Sequence, residues 1–113
     1  MPHFIVERCS KPGETIEAAK ILQGLHEVAF SIGIFDEKTI KVRLREYDQV
    51  FVAGQPDSFI HVTIYLIDGR DKSTKKRLAS AVHDYFRQTL PTVTSVSVDV
   101  RDLDREIYTK SQL

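Results

Sequence analysis

The sequence predicts an α+β fold in which two tandem βαβ units share one four-stranded sheet. A pattern of apolar strand, amphipathic helix and second strand occurs twice, and the 113 residues are enough for only one compact domain. The two units span about residues 2–52 and 59–101, and a polar tail covers residues 102–113. We therefore expect a single domain over residues 1–113, with both helices on one face of the sheet.

The first unit begins at the amino end with the apolar segment His3–Cys9, which predicts a largely buried strand. The chain then breaks at Pro12 and Gly13. Apolar side chains next recur every three or four residues, which predicts a helix over residues 14–32. The apolar face of this helix is expected to consist of Ala18, Leu22, Leu25, Ala29 and Ile32.

Strand patterns follow the first helix. Apolar and cationic side chains alternate from Ile40 to Arg45, which predicts a strand with a cationic face. Residues 50–52 either extend this strand or form a separate short piece. The segment Phe59–Ile67 is apolar almost throughout, so we expect a central strand that is covered on both faces.

A second helix and a last strand complete the second unit. Ser73 is a suitable N-cap for a helix that stops before Pro91, and the alternation around Val96 and Val98 predicts a strand. The tail is expected to dock on a neighbouring subunit or to fray. Because the helices leave one face of an apolar-rich sheet uncovered, we also expect a homo-oligomer.

Composition narrows the possible function classes. Lys plus Arg and Asp plus Glu number 16 each, so the chain lacks the overall positive field that serves binding to nucleic acids or anionic membranes. No apolar run is long enough to span a membrane, and the amino end does not have the pattern of a secretory signal. The single cysteine, Cys9, cannot form an intramolecular disulfide. We therefore expect a cytoplasmic protein that binds neither nucleic acid nor membrane.

Pro2 is the residue with the most distinctive chemistry. A small second residue allows removal of Met1, which would make the nitrogen of Pro2 a secondary amine rather than an amide. A terminal amine has a pKa near about 7.7–8.0, and burial or nearby cations lower that pKa. Since a strand begins directly after Pro2, the amine would be held at a sheet edge, where it could act as a general base.

Other common site patterns are missing. The sequence contains neither the glycine-rich phosphate loops of nucleotide-binding proteins nor the serine and histidine signatures of hydrolases. Its four histidines lack the close spacing of metal ligands. We therefore expect neither a metal nor another cofactor.

Three segments of the chain resemble a known family. The sequences PHFIVE at residues 2–7, GIF at residues 33–35 and AGQPDSFIHVTIYLIDGR at residues 53–70 are similar to the 5-carboxymethyl-2-hydroxymuconate isomerase branch of the tautomerase superfamily. The resemblance implies a trimer, an amino-terminal proline that acts as base, and arginines that bind substrate carboxylates. By motif position, the proline is Pro2 and one arginine is Arg70.

The second arginine of the family pattern is replaced here. Its position falls on Lys41, and Arg43 follows two residues later on the same strand face. Lysine keeps the charge but loses the fork of donors with which arginine binds a carboxylate. Either Lys41 or Arg43 is therefore expected to bind substrate together with Arg70.

The expected function is a cofactor-independent isomerase that moves a proton on a small anionic dienoate of the 2-hydroxymuconate type. Two alternatives stay open at the level of sequence. One is another tautomerase activity, such as phenylpyruvate tautomerisation or a hydratase-like dehalogenation. The other is a non-catalytic ferredoxin-like module that binds a small ligand or assembles subunits.

Overall fold

A four-stranded mixed sheet with two helices packed on one of its faces forms the body of the chain. The computed structural model describes all residues 1–113. A two-stranded ribbon and a short 3-10 turn complete the secondary structure. In chain order, the elements are β1 His3–Cys9, α1 Ala18–Ser31, the 3-10 turn Glu37–Thr39, β2 Lys41–Glu46, β3 Phe51–Val52, β4 Gln55–Pro56, β5 Phe59–Ile67, α2 Lys72–Thr89 and β6 Ser95–Leu103.

The strand order of the sheet is β2-β1-β5-β6. β1 runs parallel to β2, β5 runs parallel to β6, and β1 pairs antiparallel with β5. Each parallel pair is connected through one helix, as parallel strands require a crossover. The predicted α+β fold with two tandem βαβ units is confirmed.

The hydrophobic core lies between the sheet and the two helices. Alternate residues of β1 and β5 point into it, because successive side chains of a strand lie on opposite faces. Both helices contribute to the same core, so they cover one face of the sheet as predicted. Neither helix is long and apolar enough to cross a membrane. The core side chains that are fully buried include Phe4, Val6, Ile21, Leu25, Ile60, Val62, Ile64, Leu66, Leu78, Val82 and Phe86.

The beginning of α1 differs from the prediction. The helix begins at Ala18 rather than at residue 14. The buried Arg8 donates hydrogen bonds to the carbonyl oxygens of Glu14 at 2.7 Å and Ile16 at 3.2 Å. The carboxylate of Glu14, itself buried, accepts a hydrogen bond from Ser58. A buried polar network therefore takes the place of the first predicted helical turn.

Two further helix details differ from the sequence pattern. On α1, Ile21 is fully buried although it is missing from the predicted apolar face, whereas Ala18 is exposed. On α2, the N-cap is Asp71 rather than Ser73, because the side chain of Asp71 accepts a hydrogen bond from the N–H of Thr74 at 2.8 Å. The helix consequently begins at Lys72.

The helix-free face of the sheet is mixed rather than apolar, and within one chain only one face of β5 is covered. Ile60 and its alternate neighbours on β5 are buried against the helices, whereas Phe59, Tyr65 and Ile67 lie half-buried on the opposite face. Pairing register places polar side chains beside them on that face. These polar side chains include Glu7, Arg43, Arg45, His61, Thr63, Asp99 and Arg101.

The tail does not fray. Residues 102 and 103 extend β6, and the residues that follow fold back onto the same chain. Arg105 forms an ion pair with Asp68 at 2.6 Å, and the hydroxyl of Tyr108 lies 3.0 Å from Nε2 of His3. These contacts join residues that are far apart in sequence, so within one chain the tail is ordered rather than frayed. Docking on a neighbouring subunit stays a prediction.

Candidate active site

Four segments of the chain meet at one edge of the sheet. Because β1 and β2 are parallel, their first residues His3 and Lys41 are paired. Because β5 is antiparallel to β1, its carboxyl end lies at the same edge, with Tyr65 opposite His3. β6 is parallel to β5 and also ends there, at Leu103. The topology therefore brings together the amino end, the start of β2, Arg70 and the tail.

Pro2 lies immediately before β1 with its side chain fully buried. Its carbonyl oxygen accepts a hydrogen bond of 3.0 Å from the N–H of Lys41, which fixes the amino end against β2. Met1 precedes it in this structure, so the nitrogen of Pro2 is an amide and the free amine belongs to Met1. The amino end is thus an ordered part of the sheet edge rather than a loose terminus.

The amine of Met1 lies in a positively charged environment. Burial, followed by the positive charges of Lys110, Lys41 and Arg70, lowers its pKa from 8.0 to about 6. The amine of Met1 is therefore largely neutral near pH 7, the state in which an amine can accept a proton.

Lys41 supplies one of these charges from the first position of β2. Its Nζ donates a hydrogen bond to the carbonyl oxygen of Thr39 at 2.9 Å and lies 3.5 Å from Oε1 of Gln112. Burial, together with the charge of Lys110, lowers the pKa of Lys41. The ammonium group thus points toward the amino end and has only neutral acceptors.

Arg70 follows β5 after a sharp turn at Gly69, whose φ of 113° is one that side-chain-bearing residues rarely adopt. Nη2 of Arg70 donates to the carbonyl oxygen of Ile34 at 3.1 Å, and its guanidinium carbon lies 5.3 Å from the ring centroid of Phe35. A longer contact of 3.5 Å joins Nη1 to the carbonyl oxygen of Ile67. Two of the segments that carried the family resemblance therefore hold this guanidinium in place.

Arg43 lies two residues further along β2 than Lys41, opposite Ile5 of β1. Its Nη1 lies 3.1 Å from Nδ1 of His3. A guanidinium can only donate, so Nδ1 is the acceptor and Nε2 carries the proton that faces the hydroxyl of Tyr108. Burial, followed by the charge of Arg43, lowers the pKa of His3, which agrees with a neutral ring. The structure thus brings Lys41 and Arg70 to the amine, whereas Arg43 contacts His3.

The four cations at this edge have no acidic partners. Every ion pair of the chain involves residues other than Lys41, Arg43, Arg70 and Lys110. Such an unneutralised cluster creates a local positive potential although the chain as a whole has a formal net charge of zero. The arrangement is suited to bind a small anion next to the amine.

The concave surfaces of the single chain lie elsewhere. The largest, about 590 Å³, is a groove between α1 and β2, and the second, about 470 Å³, lies beside the β3–β4 ribbon. A third of about 310 Å³ includes Arg43 but not Pro2 or Arg70. No group of three or more His, Cys, Asp or Glu side chains could hold a metal ion. None of these three surfaces is lined by Met1, Pro2 or Arg70.

Sequence reasoning did not find Lys110 and Tyr108, the tail residues at this edge, and it considered His3 only as a metal ligand. The tail lacks helical or strand periodicity, so its sequence does not indicate where it folds. A signal does exist in the topology, because a strand parallel to β5 must end at the edge where β1 begins. Placing the tail near the amino end therefore requires the order of the strands in the sheet, which the pattern of apolar residues does not supply.

Comparison with known proteins gives one family and a shared fold. The family model described as 5-carboxymethyl-2-hydroxymuconate isomerase matches residues 2–111. No curated protein sequence matches the chain.

Solved structures with the same fold come from several proteins. A 5-carboxymethyl-2-hydroxymuconate isomerase from Deinococcus radiodurans R1 has a TM-score of 0.81 at 20% identity, over 99% of this chain and 90% of that one. Pt0534 inactivated by 2-oxo-3-pentynoate has a TM-score of 0.83 at 16% identity, over 96% and 91%. The W0 fused 4-OT wild type symmetric trimer has a TM-score of 0.75 at 21% identity, over 90% and 88%.

Proposed function

The chain belongs to the 5-carboxymethyl-2-hydroxymuconate isomerase family, and we propose that it moves a proton on a small anionic dienoate of the 2-hydroxymuconate type, with Pro2 as the base. The proposal requires removal of Met1, which converts the nitrogen of Pro2 into a secondary amine. The observation that carries it is the ordered amino end among Lys41, Arg70 and Lys110, none of which has a carboxylate partner. No cofactor takes part in the proposed reaction.

The reaction is a transfer of one proton within the substrate. The neutral amine of Pro2 takes the proton from the enol hydroxyl at C2, and the electron pair of that O–H bond forms the C2 carbonyl. The electron pair of the C2–C3 double bond moves to form a C3–C4 double bond. The electron pair of the C4–C5 double bond in turn takes a proton from the prolinium ion, which forms the C5–H bond. The product is the conjugated 2-oxo acid, and the amine returns to its neutral state.

The cations serve both binding and charge stabilisation in this scheme. Arg70 binds one carboxylate with its fixed guanidinium, and the positive potential stabilises the dienolate that forms after the first proton transfer. Lys41 is a better candidate than Arg43 for the second substrate-binding cation. The charge of Lys41 lowers the pKa of the Met1 amine, whereas Arg43 donates a hydrogen bond to His3. The same charges keep the pKa of the amine low, so the base is neutral when substrate arrives.

We further propose that the protein assembles as a homotrimer in the cytoplasm. The helix-free face of the sheet carries half-buried apolar side chains, among them Ile5, Phe59 and Tyr65, and burial of these against other copies would be favourable. The W0 fused 4-OT protein of the same fold is a symmetric trimer. The thiol of Cys9 is free, which suits a reducing compartment.

Substitution Pro2→Ala tests the proposed base. The variant keeps a terminal amine but makes it primary, so we expect kcat for ketonisation of a 2-hydroxymuconate-type substrate to fall by at least about tenfold. In the unaltered protein, kcat/KM should rise with pH as the amine loses its proton, with a midpoint below about pH 8, because the surrounding cations lower its pKa. Stopped-flow absorbance of the dienol measures both quantities.

The matched control is Pro12→Ala, which changes an exposed proline far from the amine. Turnover should be unaffected by this substitution. If Pro2→Ala turned over at the unaltered rate with an unchanged pH profile, proline would have no specific role in the reaction.

A further inference from the structure

The part of the tail that follows β6, residues 104–113, makes contacts at three points around the amino end. Arg105 binds Asp68 beyond β5, and Tyr108 contacts His3 at the start of β1. Nε2 of Gln112 donates a hydrogen bond of 2.6 Å to the carbonyl oxygen in the turn before β2, that of Lys38. The tail therefore crosses the edge of the sheet where the proposed base lies.

Between the last two of these points, the tail presents Lys110. Its Nζ donates to Oε1 of Gln112 at 3.2 Å, and the same oxygen lies 3.5 Å from Nζ of Lys41. Two ammonium groups thus share one neutral acceptor, which holds them near each other without cancelling their charge. Bringing like charges together costs free energy, and that cost is recovered when an anion lies between them.

Lys110 is also the side chain with the largest electrostatic effect on the amino end. Its charge lowers the pKa of the Met1 amine more than the charges of Lys41 and Arg70 do. Lys110 is exposed, so it is accessible to a ligand. Removal of Met1 would leave the place of its amino group, which is near enough to these three cations for their charges to lower its pKa, open to a substrate carboxylate.

We propose that Lys110 is a substrate-binding residue which recognises a carboxylate additional to those bound by Arg70 and Lys41, so that the site favours tricarboxylates over dicarboxylates. This inference rests on the proposed function. The compound in the family name carries three carboxylates, two from muconate and one from the carboxymethyl group. Arg70, Lys41 and Lys110 supply three cations with no acidic partner of their own, which matches that charge.

The first test compares two substrates that differ in one carboxylate, 5-carboxymethyl-2-hydroxymuconate and 2-hydroxymuconate. Lys110→Met removes the charge but keeps much of the length of the side chain. It should lower kcat/KM for the tricarboxylate by about tenfold, mainly through KM, with a much smaller effect on the dicarboxylate. Lys110→Arg should retain the preference, and Lys76→Met, on the exposed surface of α2, should change neither substrate.

The second test does not depend on turnover. Calorimetry on the protein lacking Met1 measures the affinity for adipate and for butane-1,2,4-tricarboxylate, which is adipate with one added carboxylate. The unaltered protein should bind the tricarboxylate more tightly, and Lys110→Met should lose that gain. If the gain is missing in the unaltered protein, or survives in Lys110→Met, the role of Lys110 is refuted. Absence of turnover with normal discrimination between these ligands would instead refute the proposed isomerase reaction.

Discussion

At the scale of single residues, the orientation of Arg70 is fixed before any substrate arrives. One nitrogen of its guanidinium donates to the carbonyl oxygen of Ile34, and the aromatic ring of Phe35 lies against the group. A side chain held in this way loses little conformational entropy when it binds a carboxylate. Arg70 should therefore contribute strongly to the affinity for an anionic substrate.

Substitution Arg70→Ala is expected to raise KM for 2-hydroxymuconate by about tenfold or more, with a smaller change in kcat, because a charged hydrogen bond to the substrate is lost. The neutral dimethyl ester of the same dienol should be much less affected. Steady-state kinetics on both compounds measures the difference, with Arg77→Ala on the exposed surface of α2 as control. Equal losses with the acid and the ester would contradict carboxylate binding.

The residues of the candidate site differed in how far the sequence could predict them. Pro2, Lys41 and Arg70 each lie next to a strand that has a clear apolar pattern, so their approximate places follow once the strands are recognised. Lys110 has no such neighbour, and its position depends on contacts between residues as distant as His3 and Tyr108. Contacts of this kind arise from tertiary folding and leave no local pattern.

At the scale of elements, the two helices are in close contact at Gly24 of α1. The ring of Tyr85 on α2 lies over this position, and its hydroxyl donates to the carbonyl oxygen of Ile21 at 2.8 Å. A Cβ atom at Gly24 would lie 2.8 Å from two ring carbons of Tyr85, closer than carbon atoms normally approach. Glycine is therefore required here by the packing of the helices.

Substitution Gly24→Ala should consequently destabilise the protein by about 1–3 kcal/mol, as overpacked substitutions do. In an exposed helix the same change would instead stabilise by up to about 1 kcal/mol. Urea unfolding followed by circular dichroism gives the free energy of unfolding, and Gln23→Ala on the exposed side of the same helix is the control. An unchanged or higher free energy of unfolding would show that the helices have room at this position.

The boundaries of elements were harder to predict than their existence. The spacing of apolar residues indicated α1, yet its first turn was placed too early because Arg8 and Glu14 engage each other and the adjacent backbone in the folded chain. The apolar run of β5 predicts a strand that is covered on both faces, whereas only the helix side is covered within one chain. Periodicity reports which side chains are apolar but not which partner covers them.

At the scale of the whole molecule, the strand order explains why a site forms where it does. Parallel β1 and β2 place their first residues side by side, and antiparallel pairing of the two units brings the ends of β5 and β6 to the same edge. The beginning of the chain, Arg70 and the tail therefore meet although they are far apart in sequence. The doubled βαβ pattern could be predicted, but the meeting of all four segments depends on pairing between the units.

The central claim is that the amine of Pro2, freed by loss of Met1, is the base of the reaction. Intact mass spectrometry of the native protein, combined with turnover of the same preparation, tests it most directly. We predict that active protein lacks Met1, and that treating Met1-containing protein with a methionine aminopeptidase raises turnover in proportion to the fraction processed. Full turnover by protein that retains Met1 would contradict the claim, because the nitrogen of Pro2 would then be an amide.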